Sequence, residues 1–264
     1  MGNANRYIIG AIAGDIIGSV YEWDNVKASD FQLFPPDATF TDDSVLTIAT
    51  MDSIINKTNH VVSYQKYGRK YSDAGYGARF YDWIFAKEPK PYNSWGNGSA
   101  MRVSPAGWAF DTIEEVLLEA KNSAEVTHNH PEGIKGAQAT AAAVFMARTG
   151  KSKDEIKKYI VNNFGYNLAK SIDDIRPHYR FDVSCQGSVP EAITAFLESD
   201  NFENAVRLAV SIGGDSDTIA CITGGIAEAF YKEIPDFIVE NVITRLPGDL
   251  LEIVENFSGK FRGE

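Results

Sequence analysis

The sequence predicts an all-α protein, and three observations carry that expectation. Helix-start signals recur from one end of the chain to the other, strand-like alternation is almost absent, and no linker, low-complexity tract or 20–50-residue repeat breaks the pattern. At 264 residues the chain can bury one substantial core, so a single compact multi-helix domain over residues 1–264 is expected.

The first predicted helix covers residues 7–20. Gly10, Gly14 and Gly18 recur there every fourth residue and line one slowly drifting stripe. Three glycines in place of alanine cost ~2–3 kcal/mol of helix propensity. Close approach by a neighbouring helix would offset that, and the alanine-rich run 137–143 and Thr223-Gly224-Gly225 are the candidate neighbours. Asp15, inside the stripe, reads as a structural hydrogen-bonder. Thr41-Asp42-Asp43-Ser44 opens the next apolar run. Asp111-Thr112-Ile113-Glu114 and Asp200-Asn201-Phe202-Glu203 read as aspartate-led helix starts, while Ser152-Lys153-Asp154-Glu155 and Ser188-Val189-Pro190-Glu191 read as capping boxes. Pro131 opens an alanine-rich helix through Arg148, Gly165 and Gly213 fall where helices stop, and Pro235 and Pro247 sit near two further starts. Only residues 180–186 resemble a strand.

Composition narrows the function. A net charge of −11 argues against nucleic acid as the main partner, because phosphate backbones want a basic face. It leaves room for a phosphate-bearing small molecule, since bound divalent cations invert the local potential. Two cysteines, Cys185 and Cys221, without a CxxC pattern, read as reduced thiols of a cytosolic protein. The apolar stretch 7–20 carries Asp15 and three glycines and follows a single basic residue, Arg6, so neither a signal peptide nor a membrane span is expected, and cytoplasm is the default.

Thr41-Asp42-Asp43-Ser44 has a counterpart about 170 residues later, Gly213-Gly214-Asp215-Ser216-Asp217-Thr218, also ahead of an apolar helix, 219–230. Acidic residues in a first turn complement the helix dipole, and that alone would account for Asp42 and Asp43. The doubling points further. Four carboxylates and two threonine hydroxyls are hard oxygen donors suited to Mg²⁺ or Mn²⁺. Asp215 and Asp217, two apart on a regular helix, would point about 200° away from each other. They reach one site only if one of them lies in the non-helical lead-in that Gly213-Gly214 permits. Charges ~5 Å apart at an effective dielectric of ~20 repel by ~3 kcal/mol per pair, so a converged cluster is destabilised, or takes up protons, unless cations offset it.

Five blocks then carry a family resemblance: GAIAGDIIGSVYE (10–22), TDDS (41–44), GNGSAMR (96–102), THNHPEG (127–133) and GGDSDT (213–218). In this order they make the chain resemble the ADP-ribosylglycohydrolases almost from end to end. The resemblance implies a compact, orthogonal multi-helix domain with two Mg²⁺ or Mn²⁺ ions at the base of an ADP-ribose cleft. It implies Thr41, Asp42, Asp43, Asp215, Asp217 and Thr218 as metal ligands, Asp217 bridging, with Glu22 touching a metal or its water and gating access. Asp-Asp-Ser has serine where many relatives have threonine, which keeps the hydroxyl. The Gly96-Asn97-Gly98-Ser99 loop would offer N–H groups to the diphosphate, and His128 would lie beside the metal-side ribose. Arg102 would pair with a phosphate or form a structural salt bridge, His130 reads equally as a helix cap, and zinc is not expected because the H-x-H pair has no third nitrogen or sulfur ligand nearby. Tyr76, on a Gly-Tyr-Gly turn, is the choice among many aromatics for stacking on adenine.

The chemistry so implied is hydrolysis of the glycosidic bond between ADP-ribose and an acceptor on a protein or small molecule, with Glu22 and Asp43 as candidates for proton handling. Two alternatives share parts of the pattern: another Mg²⁺-dependent nucleotide or phosphoester hydrolase, and a catalytically silent ADP-ribose-binding protein. Acceptor choice should reside in loops 23–40, 68–96 and 170–186; the resemblance implies that an acid meets the guanidinium in arginine-specific relatives, and the sequence does not place it, although Asp73 and Asp82 lie in the right region. A monomer is the default.

Overall fold

The glycine stripe marks the centre of the molecule. The computed structural model describes residues 6–262, and among these fifteen α-helices follow one another: α1 Gly10–Gly18, α2 Asp42–Asn56, α3 His60–Lys70, α4 Ala78–Phe85, α5 Gly98–Met101, α6 Ser104–Ala109, α7 Ile113–Glu125, α8 Pro131–Arg148, α9 Lys153–Phe164, α10 Ile172–Ile175, α11 Cys185–Glu198, α12 Phe202–Ser211, α13 Ser216–Tyr231, α14 Asp236–Arg245 and α15 Gly248–Phe261. A 3₁₀ turn, Ser19–Tyr21, extends α1. α13 is buried from Ser216 to Ala229, as an apolar-all-round sequence requires of a central helix. α1 lies along it, α8, α11 and α12 also pack on it, and α2 fills the angle between α1, α3 and α15.

The α1–α13 contact explains the three glycines. A Cβ on Gly10 would lie 2.4 Å from the Gly224 carbonyl oxygen, on Gly14 2.0 Å from that of Ala220, and on Gly18 2.5 Å from Asp217 Cα. The partner is therefore the helix bearing Thr223-Gly224-Gly225, and the 137–143 run in α8 packs elsewhere. α1 begins without a side-chain cap of its own. Glu228, wholly buried on α13, accepts from the Gly10 N–H (2.6 Å) and the Ile9 N–H (3.3 Å) and pairs with Arg262 at 2.5 Å. A carboxylate at that end satisfies orphan donors and complements the dipole.

Most helix starts agree with the sequence reading, with instructive shifts. Ser152 and Glu155 form the expected capping box, and Gly165 closes α9 at φ +67°. At α7 the cap is Thr112 with Glu115, one residue beyond the expected Asp111; at α12 it is Asn201 instead of Asp200. The box expected at Ser188 is not there. α11 starts earlier, capped by Ser184, and Pro190 lies inside the helix. Ser188 is buried, donating to the Asp182 carbonyl and accepting from Asn97 Nδ2, so a tertiary partner claims the hydroxyl that local reading gave to a cap. The strand-like segment 180–186 reduces to one antiparallel bridge, Gly96 with Ser184, which pins the GNGS loop to the start of α11.

Candidate active site

The two aspartate signatures meet at the N-terminal ends of α2 and α13. Thr41 caps α2, accepting from the Asp43 N–H at 3.2 Å. Its own hydroxyl donates to Asp15 Oδ1 at 2.6 Å. Asp15 also accepts from the Thr41 N–H (2.9 Å), the Ser44 N–H (3.0 Å) and the Ser44 hydroxyl. This buried carboxylate in the glycine stripe thus fixes the start of α2, and the serine hydroxyl of Asp-Asp-Ser serves it.

On the other side, Gly213 and Gly214 take φ +74° and +73° and turn the chain into α13. Gly214 donates to Asn25 Oδ1 at 2.6 Å, and Asn25 Nδ2 donates to the Glu22 carbonyl at 2.8 Å, tying the segment after α1 to this turn. Asp215 stands in the non-helical cap position and Asp217 in the first turn, the arrangement that lets both face one point. Carboxylate oxygens of Asp15, Asp43 and Asp217 lie within 4.8 Å of one another, as do those of Glu22, Asp215 and Asp217. Asp217 belongs to both triads. Asp42 lines the same wall outside them. Thr218 donates to Asp43 Oδ2 at 3.3 Å, while Asp43 Oδ1 is buried without a protein donor.

Burial and mutual repulsion leave their mark on these groups. Burial first, then the charges of Asp15 and Asp215, pushes the Asp42 carboxyl up to about 8. Burial and then Asp215 raise Glu22 to about 7. Asp43 and Asp217 are driven well above the usual carboxylate range, with burial again the leading cause. Such a cluster either keeps protons or takes up positive charge.

A cleft of about 560 Å³ opens over the carboxylates, within the size range of small-molecule sites. Glu22, Thr41, Asp42, Asp43, Asn97, Gly98, Arg102, His128, Asp215, Asp217 and Thr218 all line it. Tyr76 and Ser99 do not. Tyr76 stacks on Phe80 with its hydroxyl buried, so Phe80 and not Tyr76 faces the cleft. Ser99 turns its hydroxyl to the Gly133 carbonyl at 2.7 Å. Asn97 reaches the cleft, but its N–H donates to Val183 O (2.7 Å) and its amide to Asp215 Oδ2 (2.6 Å), so it orients a carboxylate. Arg102 is fully buried, one guanidinium nitrogen donating to Ser123 O (2.8 Å) and Thr127 Oγ1 (2.9 Å). It forms no salt bridge among the described residues. His130 is a cap, its Nδ1 accepting from the Glu132 N–H. Asp73 and Asp82, which lie in the region where an acid could meet a guanidinium, do not line the cleft.

The comparisons decide the family. The model of the ADP-ribosylglycohydrolase family matches residues 3–263. The chain belongs to this family. As a family member it is similar to ADP-ribosylhydrolase ARH3 of Homo sapiens, 26% identical over 87% of this chain and 86% of that protein. It is also similar to ADP-ribosylarginine hydrolase Tri1 of Pseudomonas putida (strain GB-1), 29% identical over 52% of this chain and 38% of that protein. Among solved structures, one described as an ADP-ribosylglycohydrolase-related protein complex superposes with a TM-score of 0.68 at 19% identity, covering 98% of this chain and 97% of that chain, which shows a common fold. No described helix of this ADP-ribosylglycohydrolase family member is long and apolar enough to cross a membrane.

Two features of the cleft were missed from sequence. Trp23, 81% exposed, stacks on Phe181 at 5.2 Å, and both line the mouth beside Glu22. Arg79, on α4, is the one exposed cation on the wall among the described residues. Neither has a local signature: Trp23 follows the motif glutamate without periodicity, and Arg79 looks like any solvated helix residue.

Proposed function

We propose that the cleft binds ADP-ribose and that the protein hydrolyses the glycosidic bond joining ADP-ribose to an acceptor, a protein side chain such as arginine or serine or a small molecule, with two Mg²⁺ or Mn²⁺ ions. The observation that carries this reading is Asp217, one carboxylate common to two triads. The donor set fits such ions: it is all oxygen, rich in carboxylate, and includes the buried Asp43 Oδ1 that no protein donor satisfies. Thr41, Asp42, Asp43, Asp215, Asp217 and Thr218 would hold them, with Asp15 behind Thr41 and Asp43 and Asn97 behind Asp215. Bound ions would supply Lewis-acid polarisation and a water of lowered pKa.

The chain's own residues supply the rest. The Gly98 N–H, first in α5 and on the cleft wall, has no intrahelical acceptor and suits the diphosphate. Arg79, exposed on the wall, offers that group a cation. His128 faces the ribose from between Gly96 and Gly98. Glu22, half-buried at the mouth, takes the proton of the attacking water, with Asp43 as the alternative base. Cleavage passes through oxocarbenium character, which a carboxylate-rich wall stabilises.

The test is a panel of arginine-, serine- and O-acetyl-linked ADP-ribose substrates, assayed with chelator-treated protein before and after adding Mg²⁺ or Mn²⁺. Release of ADP-ribose only with metal, and its loss in Asp217→Asn, is expected. Equal activity with and without metal would overturn the metal assignment. Inorganic phosphate as the product would indicate a phosphoester hydrolase, and binding without turnover a silent binding protein.

A further inference from the structure

His128 lines the cleft with one ring nitrogen already committed to a buried partner. Its Nδ1 lies 2.7 Å from Thr127 Oγ1, and Thr127 Oγ1 accepts at 2.9 Å from the guanidinium of Arg102. Thr127 and Arg102 are fully buried, and no other acceptor lies within reach of the Thr127 hydroxyl among the described residues. A hydroxyl has one proton and two lone pairs. With a lone pair taken by Arg102, its proton is satisfied only by the lone pair of His128 Nδ1. Protonating Nδ1 instead would crowd two donors on one oxygen and orphan a buried hydroxyl proton, the costly case for a polar group away from water. The ring proton therefore belongs on Nε2. That nitrogen points between Gly96 and Gly98, where a Cβ would sit 3.5 and 3.3 Å from it.

We propose that Arg102 and Thr127 are positioning residues that hold His128 as the neutral Nε2–H tautomer, a fixed donor aimed at a ligand oxygen in the cleft. This rests on the reading of the cleft as an ADP-ribose site, whose ribose hydroxyl and phosphate oxygens are such acceptors. It also gives His128 a definite role: with Nδ1 filled and Nε2 protonated, it cannot act as general base, and proton abstraction stays with the carboxylates. Burial, and then the Arg102 charge, pulls the imidazole well below its usual range, in agreement with a neutral ring. The guanidinium is itself held by π faces, 4.3 Å from the Tyr64 ring centroid, and by the Ser123 carbonyl, so its charge is fixed in place.

The experiment is a long-range ¹H–¹⁵N correlation spectrum of the side chains of the four histidines, with His128→Gln for assignment. Wild-type His128 should show a protonated Nε2 and an unprotonated Nδ1 at neutral pH. Thr127→Val should mix the tautomers and weaken ADP-ribose binding about tenfold by calorimetry, the loss of roughly one hydrogen bond, and Thr127→Ser should restore both. A wild-type Nδ1–H tautomer, or a tautomer unmoved in Thr127→Val, would overturn the proposal. The wild-type spectrum alone decides if Thr127→Val fails to fold. The expected tautomer in a protein that binds no ADP-ribose would uphold the relay and sink the reading of the cleft.

Discussion

Gly18→Ala tests whether the glycine stripe builds the active site or only the core. The added Cβ would lie 2.5 Å from Asp217 Cα and 2.6 Å from the Ser216 carbonyl oxygen. An ordinary carbon–carbon contact is ~3.8 Å, so the start of α13 must move by about 1.3 Å. Overpacking of that kind costs about 1–3 kcal/mol, offset by ~1 kcal/mol of helix propensity gained over glycine. Net destabilisation should be roughly 0–2 kcal/mol, or a few degrees in melting temperature. The larger effect should be on metal. Asp217 belongs to both carboxylate triads, and constellations of this kind tolerate about 0.5 Å of misplacement. Mn²⁺ affinity, measured by calorimetry, should fall about 10–100-fold, the range seen when the support of a ligand is lost. Gly259→Ala is the control: nothing lies within 4 Å of its added Cβ at an exposed position of α15, and it should stabilise by about 0.5–1 kcal/mol. Wild-type melting and wild-type Mn²⁺ affinity in Gly18→Ala would refute the reasoning.

Three further outcomes are expected. Metal-free protein should lose stability between about pH 4 and pH 8, because folding holds Glu22 up at about 7 and Asp42 at about 8. The folded chain there keeps protons that the unfolded chain has released, so stability falls as pH rises. Mg²⁺ should raise the melting temperature more at pH 8 than at pH 5, and a metal-free melting temperature that climbs over this interval would contradict the burial of these carboxyls. Glu228→Ala should destabilise by about 3–5 kcal/mol in urea titrations, since it strands Arg262 and uncaps α1; a loss under ~1 kcal/mol would mean water replaces the carboxylate. Arg79→Ala should raise KM severalfold with kcat little changed, the mark of uniform binding, and an unchanged KM would remove Arg79 from the substrate's path.

How much of this was legible in the sequence follows the range of the interactions. Caps and glycine spacing are local, so the all-α class, the α9 box and the Pro131 start could be read directly, and so could the need for a close helix neighbour at the glycine stripe, though not the choice of α13 over the 137–143 run in α8. Adjacent polar residues blurred the register: Asp111 and Thr112, or Asp200 and Asn201, compete for one cap, and the chain's approach to the helix decides between them. Where a tertiary partner captures a side chain, local reading fails. Ser188 serves Asn97, Ser99 serves the Gly133 carbonyl, and Asn97 spends its amide on Asp215. Asp15 shows both sides of this. An acid inside an apolar stripe was recognisable as a hydrogen-bonder, yet its place in a carboxylate triad depends on where α2 and α13 lie.

The cleft is thus built in two ways. Its carboxylate half stands on α1, α2 and α13, whose contacts leave no space for even a methyl group at three positions. The mouth stands on connecting segments, though these are held as well: Tyr21 donates to Gln32 O, Arg207 to Phe31 O and Arg245 to Ala38 O along the 23–40 loop. Trp23 and Phe181 come from two such segments and meet face to face above Glu22. Trp23 is 81% exposed, so its substitution leaves the helix contacts in place, whereas substitution at the glycine stripe shifts an aspartate. Discrimination among acceptors can therefore diverge at the mouth while the oxygen-donor centre stays fixed, which makes Trp23→Ala the variant in which selectivity across the substrate panel should change at unaltered Mn²⁺ affinity.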